Sequence, residues 1–226
     1  MNAAGLGPRR APPRRPRPKR ETRWQAVLDA AAAEFAARGY LGASTGQIAR
    51  RLGLKQGSLY YYFPSKQRAL ELVCQLSTEE MLGGLGEIVG RAGEPRAKLR
   101  RAIEFHLDWL TGRPDYCLTF LRERKHVTGA AGRLLAETAH RYEALFERIF
   151  REGVAARVFR ADCRPAQAAF ATLAIINAFG LRAPRGRPAP RRSAAAELAR
   201  WLADMMVAGF ETRASPGRAT SRPPRR

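Results

Sequence analysis

The stretch GASTGQIARRLGLKQGSLYYYFPSK, Gly42 to Lys66, carries the reading on which the fold turns. Four consecutive aromatics, Tyr60 to Phe63, have high β-propensity and taken alone admit a short buried strand. The flanks point elsewhere. Ser44 and Gln47 have the S-x-x-Q spacing of a capping box just ahead of Ile48, Ala49 and Leu52, and Gly53 supplies a left-handed C-cap. The helix between them has about two turns, too short to survive unless its neighbours pack it. Three residues after Gly53 a second short helix can begin, with Leu59 and Phe63 on one side at i, i+4 and Pro64 as its stop. Wound this way, Leu59 and Phe63 point inward, and Gln56, Ser58, Tyr60 and Tyr62 are left to other faces. Short helix, tight turn and second short helix together predict a helix-turn-helix, whose second helix fits a major groove where amides and hydroxyls read base edges and bond phosphates. Ser65 predicts the N-cap of a following helix and places Lys66 beside free backbone N–H groups, where a phosphate could dock.

Upstream, Trp24, Val27, Leu28, Ala31 and Phe35 recur at helical spacing and predict one helix ending near Gly39. Downstream, from about residue 69 to 212, the chain reads as helix after helix, and strand alternation appears nowhere at length. At 226 residues and 45% hydrophobic, it has material for one large domain or two small ones. Apolar runs such as AAFATLAIINAFGL fall short of the roughly 20 residues that cross a bilayer, and no apolar segment follows the basic N-terminus, so a soluble cytoplasmic protein with no membrane partner is expected. Cys74, Cys117 and Cys163 are far apart in apolar helical contexts and read as reduced core residues.

The formal charge of +21 is unevenly spread. Residues 1–23 carry a net +7, Arg182–Arg192 and Arg213–Arg226 hold five arginines each without an acid, and only about +4 remains for everything else. These Pro/Gly/Arg-rich pieces suit a polyanion partner or a solubilising role. A disordered basic arm is expected over residues 1–20 and a disordered basic tail over 213–226.

GASTGQIARRLGLKQGSLYYYFPSKQRALELV, with the helix before it, resembles the DNA-binding domain of TetR-type transcriptional regulators: Gly39 and Tyr40 after the first helix, Ile48 and Ala49 in the second, then Gly53, Leu59, Tyr60, Phe63 and Lys66. The resemblance implies an all-α fold, with a three-helix helix-turn-helix domain over 21–81 and a helical ligand-binding and dimerisation domain over 82–212. It implies that Gln56, Gly57 and Ser58 face base edges, with Ser44, Thr45, Lys55, Tyr60, Tyr62 and Lys66 contacting bases or phosphates of a double-stranded, palindromic operator. Gly46 replaces a longer polar side chain and Lys55 a capping serine, so both short helices are expected to be weaker than usual, Gly46 costing about 1 kcal/mol.

LFERIFREGVAARVFRADCRPAQAAFATLAIINAF resembles the later helices of the same regulators, where two long helices of each protomer form a four-helix dimer interface. Phe170, Leu173 and Asn177, and then Leu198, Leu202 and Met205, are the candidates, each stripe being either interface or intrachain core. His106, Trp109, Tyr116, Phe120 and Tyr142 lie centrally and either line a pocket for an apolar small-molecule effector or simply pack. The histidines lack zinc-ligand spacing, no nucleophile motif is present, and no metal, cofactor or catalytic residue is expected. The favoured reading is a homodimeric repressor released by a small molecule. The alternative is sequence-independent nucleic-acid binding or scaffolding through the Arg-rich tails.

Overall fold

The computed structural model describes residues 19–182 and 192–212. The expected basic arm, apart from Lys19 and Arg20, most of the Arg182–Arg192 segment and the basic tail lie outside the described residues.

Helix α1 (Lys19–Gly42) buries Val27, Ala31 and Phe35 and is broken by Gly39, whose φ of 71° lies in the left-handed region. Its regular part therefore ends where the sequence predicts. Helices α2 (Thr45–Arg51) and α3 (Gln56–Leu59) follow. The Ser44 side chain accepts from the Gln47 N–H and donates to its Oε1 at 2.8 Å, so the N-cap half of the capping box forms and the glutamine returns to the hydroxyl in place of the backbone N–H. At the other end of α2, Gly53 takes φ 65° and Leu54 N–H returns to Ala49 O at 2.9 Å, closing the turn. No side chain caps α3, as the lysine at position 55 predicts.

Helix α4 (Lys66–Gly90) is one continuous helix, capped by Ser65, so the expected domain boundary at 81/82 falls inside it. Its first half packs Ala69, Leu70 and Val73 against Phe35, Ile48, Leu59 and Phe63 in a core beneath the helix-turn-helix. Leu85 and Val89, near its end, belong to a second core with residues of α5 (Pro95–Gly112), α7 (Gly129–Ala155), α8 (Pro165–Arg182) and α9 (Arg192–Phe210). Helix α6 (Pro114–Glu123) and a single 3-10 turn, Arg124–His126, lie between them. Helices α5, α6 and α8 each begin at a proline, whose missing N–H costs nothing at a helix start. At the far end, Phe159 packs so closely on Gly153 that a Cβ there would overlap its ring, and it bridges to Glu211, whose carboxylate pairs with Arg96 at 2.5 Å.

The kinked end of α1 leaves carbonyls without helical partners, and a side chain from α4 takes two of them. Lys66 Nζ donates to Tyr40 O and Ala43 O, both at 2.9 Å, and lies 4.6 Å from the centre of the Tyr40 ring. The half-buried ammonium of Lys66, expected at a phosphate, thus has two acceptors inside the protein. Lys66→Met should destabilise the chain by about 1.5 to 3 kcal/mol in urea unfolding, because two part-buried charge-assisted bonds are lost. Unchanged stability with weakened binding to DNA would return the lysine to a phosphate.

Candidate functional site

The surface built by α2 and α3 is polar and open. Gln56 Nε2 donates to Thr45 Oγ1 at 2.9 Å and lies 3.4 Å from the Tyr60 hydroxyl, so one amide links both helices. A Cβ at Gly46 would stand 3.4 Å from Gln56 Oε1, an ordinary contact, so nothing in the local packing requires glycine there. Lys55, Gly57, Ser58 and Tyr60 are exposed; Ser44 is exposed too, though its hydroxyl is held in the cap.

Two aromatics exchange the roles the sequence suggests. Tyr62 is partly buried with its ring 6.2 Å from that of Trp24, so it anchors α3 to α1. Tyr61, absent from the candidates, is 75% exposed. Helical rotation of 100° per residue sets it opposite the buried Leu59 and Phe63, and that arithmetic could have found it.

A second feature is a half-open cavity of about 550 Å³ lined by α4, α5, α6, α7 and α8. His106, Trp109, Phe120 and Tyr142 line it, as do Phe170, Leu173 and Asn177 of the expected interface stripe, the last two partly buried. Tyr116 does not line it. Its hydroxyl donates to Asp29 Oδ1 at 2.8 Å and accepts from Gln25 Nε2 at 3.0 Å, pinning α6 to α1. Inside the cavity the Tyr142 hydroxyl donates to His106 Nδ1 at 2.9 Å, and His106 Nε2–H donates to Asn177 Oδ1 at 3.1 Å, the proton being assigned to Nε2 because Oδ1 only accepts. Burial pushes His106 down to about 4, so it is neutral, and it drives the Tyr142 phenol well above its ordinary range. Burial likewise pushes the Cys74 and Cys117 thiols up to about 12, and all three cysteines are free. Among the described residues no cluster of His, Cys, Asp and Glu could hold a metal ion, and no helix is long and apolar enough to cross a membrane.

The cavity wall and the helix-turn-helix share one short segment. Arg124 and Lys125 line the cavity, while on either side of them Glu123 Oε2 accepts from the Tyr40 N–H at 2.9 Å and His126 stacks on the Tyr40 ring at 5.1 Å. His126 O also accepts from Gln67 Nε2 at 3.1 Å.

A third feature is a set of exposed apolar side chains: Phe170, 67% exposed, and Phe179 on α8, and Leu198, Trp201, 58% exposed, and Met205, 48% exposed, on α9. Leu202 is 1% exposed and belongs to the second core, a correction to its assignment as interface. Helical spacing gave the apolar stripe of α9 but did not separate its buried side from its open one; Trp201, one helical turn from Leu198, was the signal missed.

The cavity histidine gives stability a pH dependence. Its folded value is depressed from 6.5, so the unfolded chain binds the proton first, and the stability present above pH 6.5 is lost as pH falls towards 4. Between pH 7 and 5 the difference in unfolding free energy between wild type and His106→Gln should move by roughly 2 kcal/mol in favour of the variant. Parallel pH profiles would mean that the imidazole titrates normally.

Comparison with known proteins agrees with this arrangement. Residues 27–71 match the family described as bacterial regulatory proteins, tetR family, and residues 92–181 match the tetracyclin repressor-like C-terminal domain, together more than half of the chain. The chain is 27% identical over 137 residues to the HTH-type transcriptional repressor KstR2 of Rhodococcus jostii, a match covering 60% of this chain and 67% of the relative. The TetR family regulator PfmR from Thermus thermophilus superposes with a TM-score of 0.72 at 27% identity, covering 83% of this chain and 96% of that one. AibR, solved with isovaleryl coenzyme A and operator DNA, superposes at 0.70 with 21% identity, covering 84% and 98% respectively, a likeness of fold. An open helix-turn-helix, a helical body with a cavity and the matches over both parts identify the chain as a DNA-binding transcriptional regulator of the TetR family.

Proposed function

We propose that two copies of this chain hold a palindromic operator, repress transcription from it, and release it when a small molecule fills the cavity. The carrying observation is the shared segment Glu123–His126: residues in its middle line the cavity, and those at its ends hold Tyr40, the residue on which α1 turns into the helix-turn-helix. A ligand that moves Arg124 or Lys125 acts on that hold, and release requires only that it bind the displaced arrangement better than the DNA-bound one. The name of the KstR2 relative supports repression, and the solved AibR complex supports a fold that accommodates ligand and operator.

On DNA, Gln56, Ser58, Tyr60 and Tyr61 are the side chains free to meet base edges and nearby phosphates, with Thr45 behind them. Two recognition helices must meet half-sites about one DNA turn apart, which calls for a second copy. The exposed apolar side chains Phe170 and Phe179 of α8 and Leu198, Trp201 and Met205 of α9 give that copy a face to cover. Such a regulator works in the cytoplasm on the nucleoid. Binding through the Arg-rich tails alone would use neither the cavity nor this face.

The experiment is to select bound sites from random DNA with the purified protein and compare variants on the selected operator. Gln56→Ala should cost about 1 to 3 kcal/mol on the operator and much less on random DNA. Met205→Asp should keep the helix content but sediment as a monomer and lose operator affinity in proportion, because an unpaired carboxylate is costly at a buried contact. Equal losses on both DNAs would remove Gln56 from base reading, and a dimeric Met205→Asp would place the interface elsewhere. A reporter that rises when the gene is deleted confirms repression; one that falls makes the protein an activator.

A further inference from the structure

The polar groups of the cavity define what it takes. Most of its hydroxyls have already given their proton to the backbone: Ser77 to Val73 O at 2.9 Å, Thr78 to Cys74 O at 3.2 Å and Thr138 to Leu134 O at 2.8 Å. The Tyr142 to His106 to Asn177 chain is oriented in one sense and ends at the Asn177 amide, whose Nδ2 protons find no acceptor among the described residues. Trp109, on the same wall, keeps a buried Nε1–H without a partner. The unused donors inside are thus the Asn177 amide and the Trp109 indole, while the hydroxyl oxygens keep lone pairs that can only accept. Unmet, each such donor costs free energy; met by an oxygen acceptor, it becomes a point of recognition.

The charged part of the lining has a matching sign. Arg124 and Lys125 are exposed, and neither has an ion-pair partner among the described residues. The Arg124 guanidinium lies 5.0 Å from the centre of the Phe120 ring, itself part of the wall, which holds it towards the cavity. Glu143 is the carboxylate on the lining, so two fixed cations face one anion. Between these features the wall is apolar, with Met81, Leu110, Leu121 and Leu135 among its residues.

We infer that the ligand of this cavity is an anionic amphiphile: an apolar body buried among these side chains, an oxygen acceptor at Asn177, and a carboxylate or phosphate head at Arg124 and Lys125. The inference rests on the reading of the cavity as the effector site and adds the class of molecule. A free carboxylic acid and an acyl group on a phosphate-bearing carrier share this chemistry. A cationic amphiphile of equal length meets two like charges and unpaired donors, and is rejected.

The test is direct binding to the full-length protein, without DNA, of four probes with the same chain: decanoate, decanoyl-coenzyme A, decanol and decylamine. At least one anionic probe should bind about tenfold or more tighter than decylamine, as a charge-assisted contact predicts. Which of the two binds tighter identifies the source of the head group. Because a chain of net charge +21 attracts anions everywhere, the site is read from the Arg124→Ala, Lys125→Ala double variant. It should lose about tenfold for the anionic probe and stay within about twofold for decanol. Decylamine binding as tightly as the anions, an undiminished anion preference in the double variant, or no binding by any probe at millimolar concentration overturns the inference. Selective binding of an anion that leaves operator affinity unchanged keeps this inference and instead defeats the proposed effector role.

Discussion

The Glu123 carboxylate on the Tyr40 N–H is the contact from which the rest of this molecule can be understood. Gly39 turns the chain out of α1 with a positive φ, and a turn of that kind strips hydrogen-bond partners from the groups around it. Here they are recovered from two directions: Glu123, at the end of α6, takes the N–H of Tyr40, and Lys66, at the start of α4, takes the carbonyls of Tyr40 and Ala43. The orientation of the helix-turn-helix is thereby referred to both the helix that follows it and the helical body. Gln67 reinforces the arrangement, accepting from the Tyr40 hydroxyl at 2.8 Å and donating to His126 O.

This placement gives the proposed regulation a short physical route. Between the cavity and Tyr40 there is no long relay, only the end of α6 and one turn of 3-10 helix, in which Arg124 and Lys125 line the one while Glu123 before them and His126 after them hold the other. Tyr116 and Thr119 add two more ties from α6 to α1, the second a bond from Thr119 Oγ1 to Ala32 O at 3.1 Å. A displacement of α6 is therefore carried into α1 as well as into its kink. The buried His106 chain has a different part. It is neutral, hydrogen-bonded on both nitrogens and remote from these ties, so it shapes the cavity without adding a charge to it.

Features set by neighbours in sequence could be read from the residues: the Ser44 capping box, the Gly53 turn, the inward pair Leu59 and Phe63 and the end of α1 at Gly39 all depend on contacts a few positions apart. The helix-turn-helix was legible for that reason, and the resemblance across it agrees with the family matches. Roles set by distant partners were not. Lys66 sits beside a helix N-terminus, where a cation suggests a phosphate, but its acceptors lie 23 and 26 residues upstream. Tyr116 is central in the sequence like the cavity residues, yet its partners Asp29 and Gln25 draw it into the α1 contact. On α8 and α9, spacing identified apolar stripes but not what each side of a stripe touches, so the buried Leu202 was grouped with the exposed Met205. No local signal marked Glu123, since its role exists only once α6 reaches the kink of α1.

The account stands or falls on that kink being held from the helical body. The most direct measurement is the operator affinity of Glu123→Ala, a change that removes no group from the DNA-facing surface. With the dimer intact by sedimentation, affinity should be lower by about tenfold, the coupling expected when a part-buried backbone N–H loses its acceptor and the helix-turn-helix its reference. Wild-type affinity in that variant would contradict it, showing that the helix-turn-helix keeps its DNA-binding geometry without the hold of α6 on Tyr40.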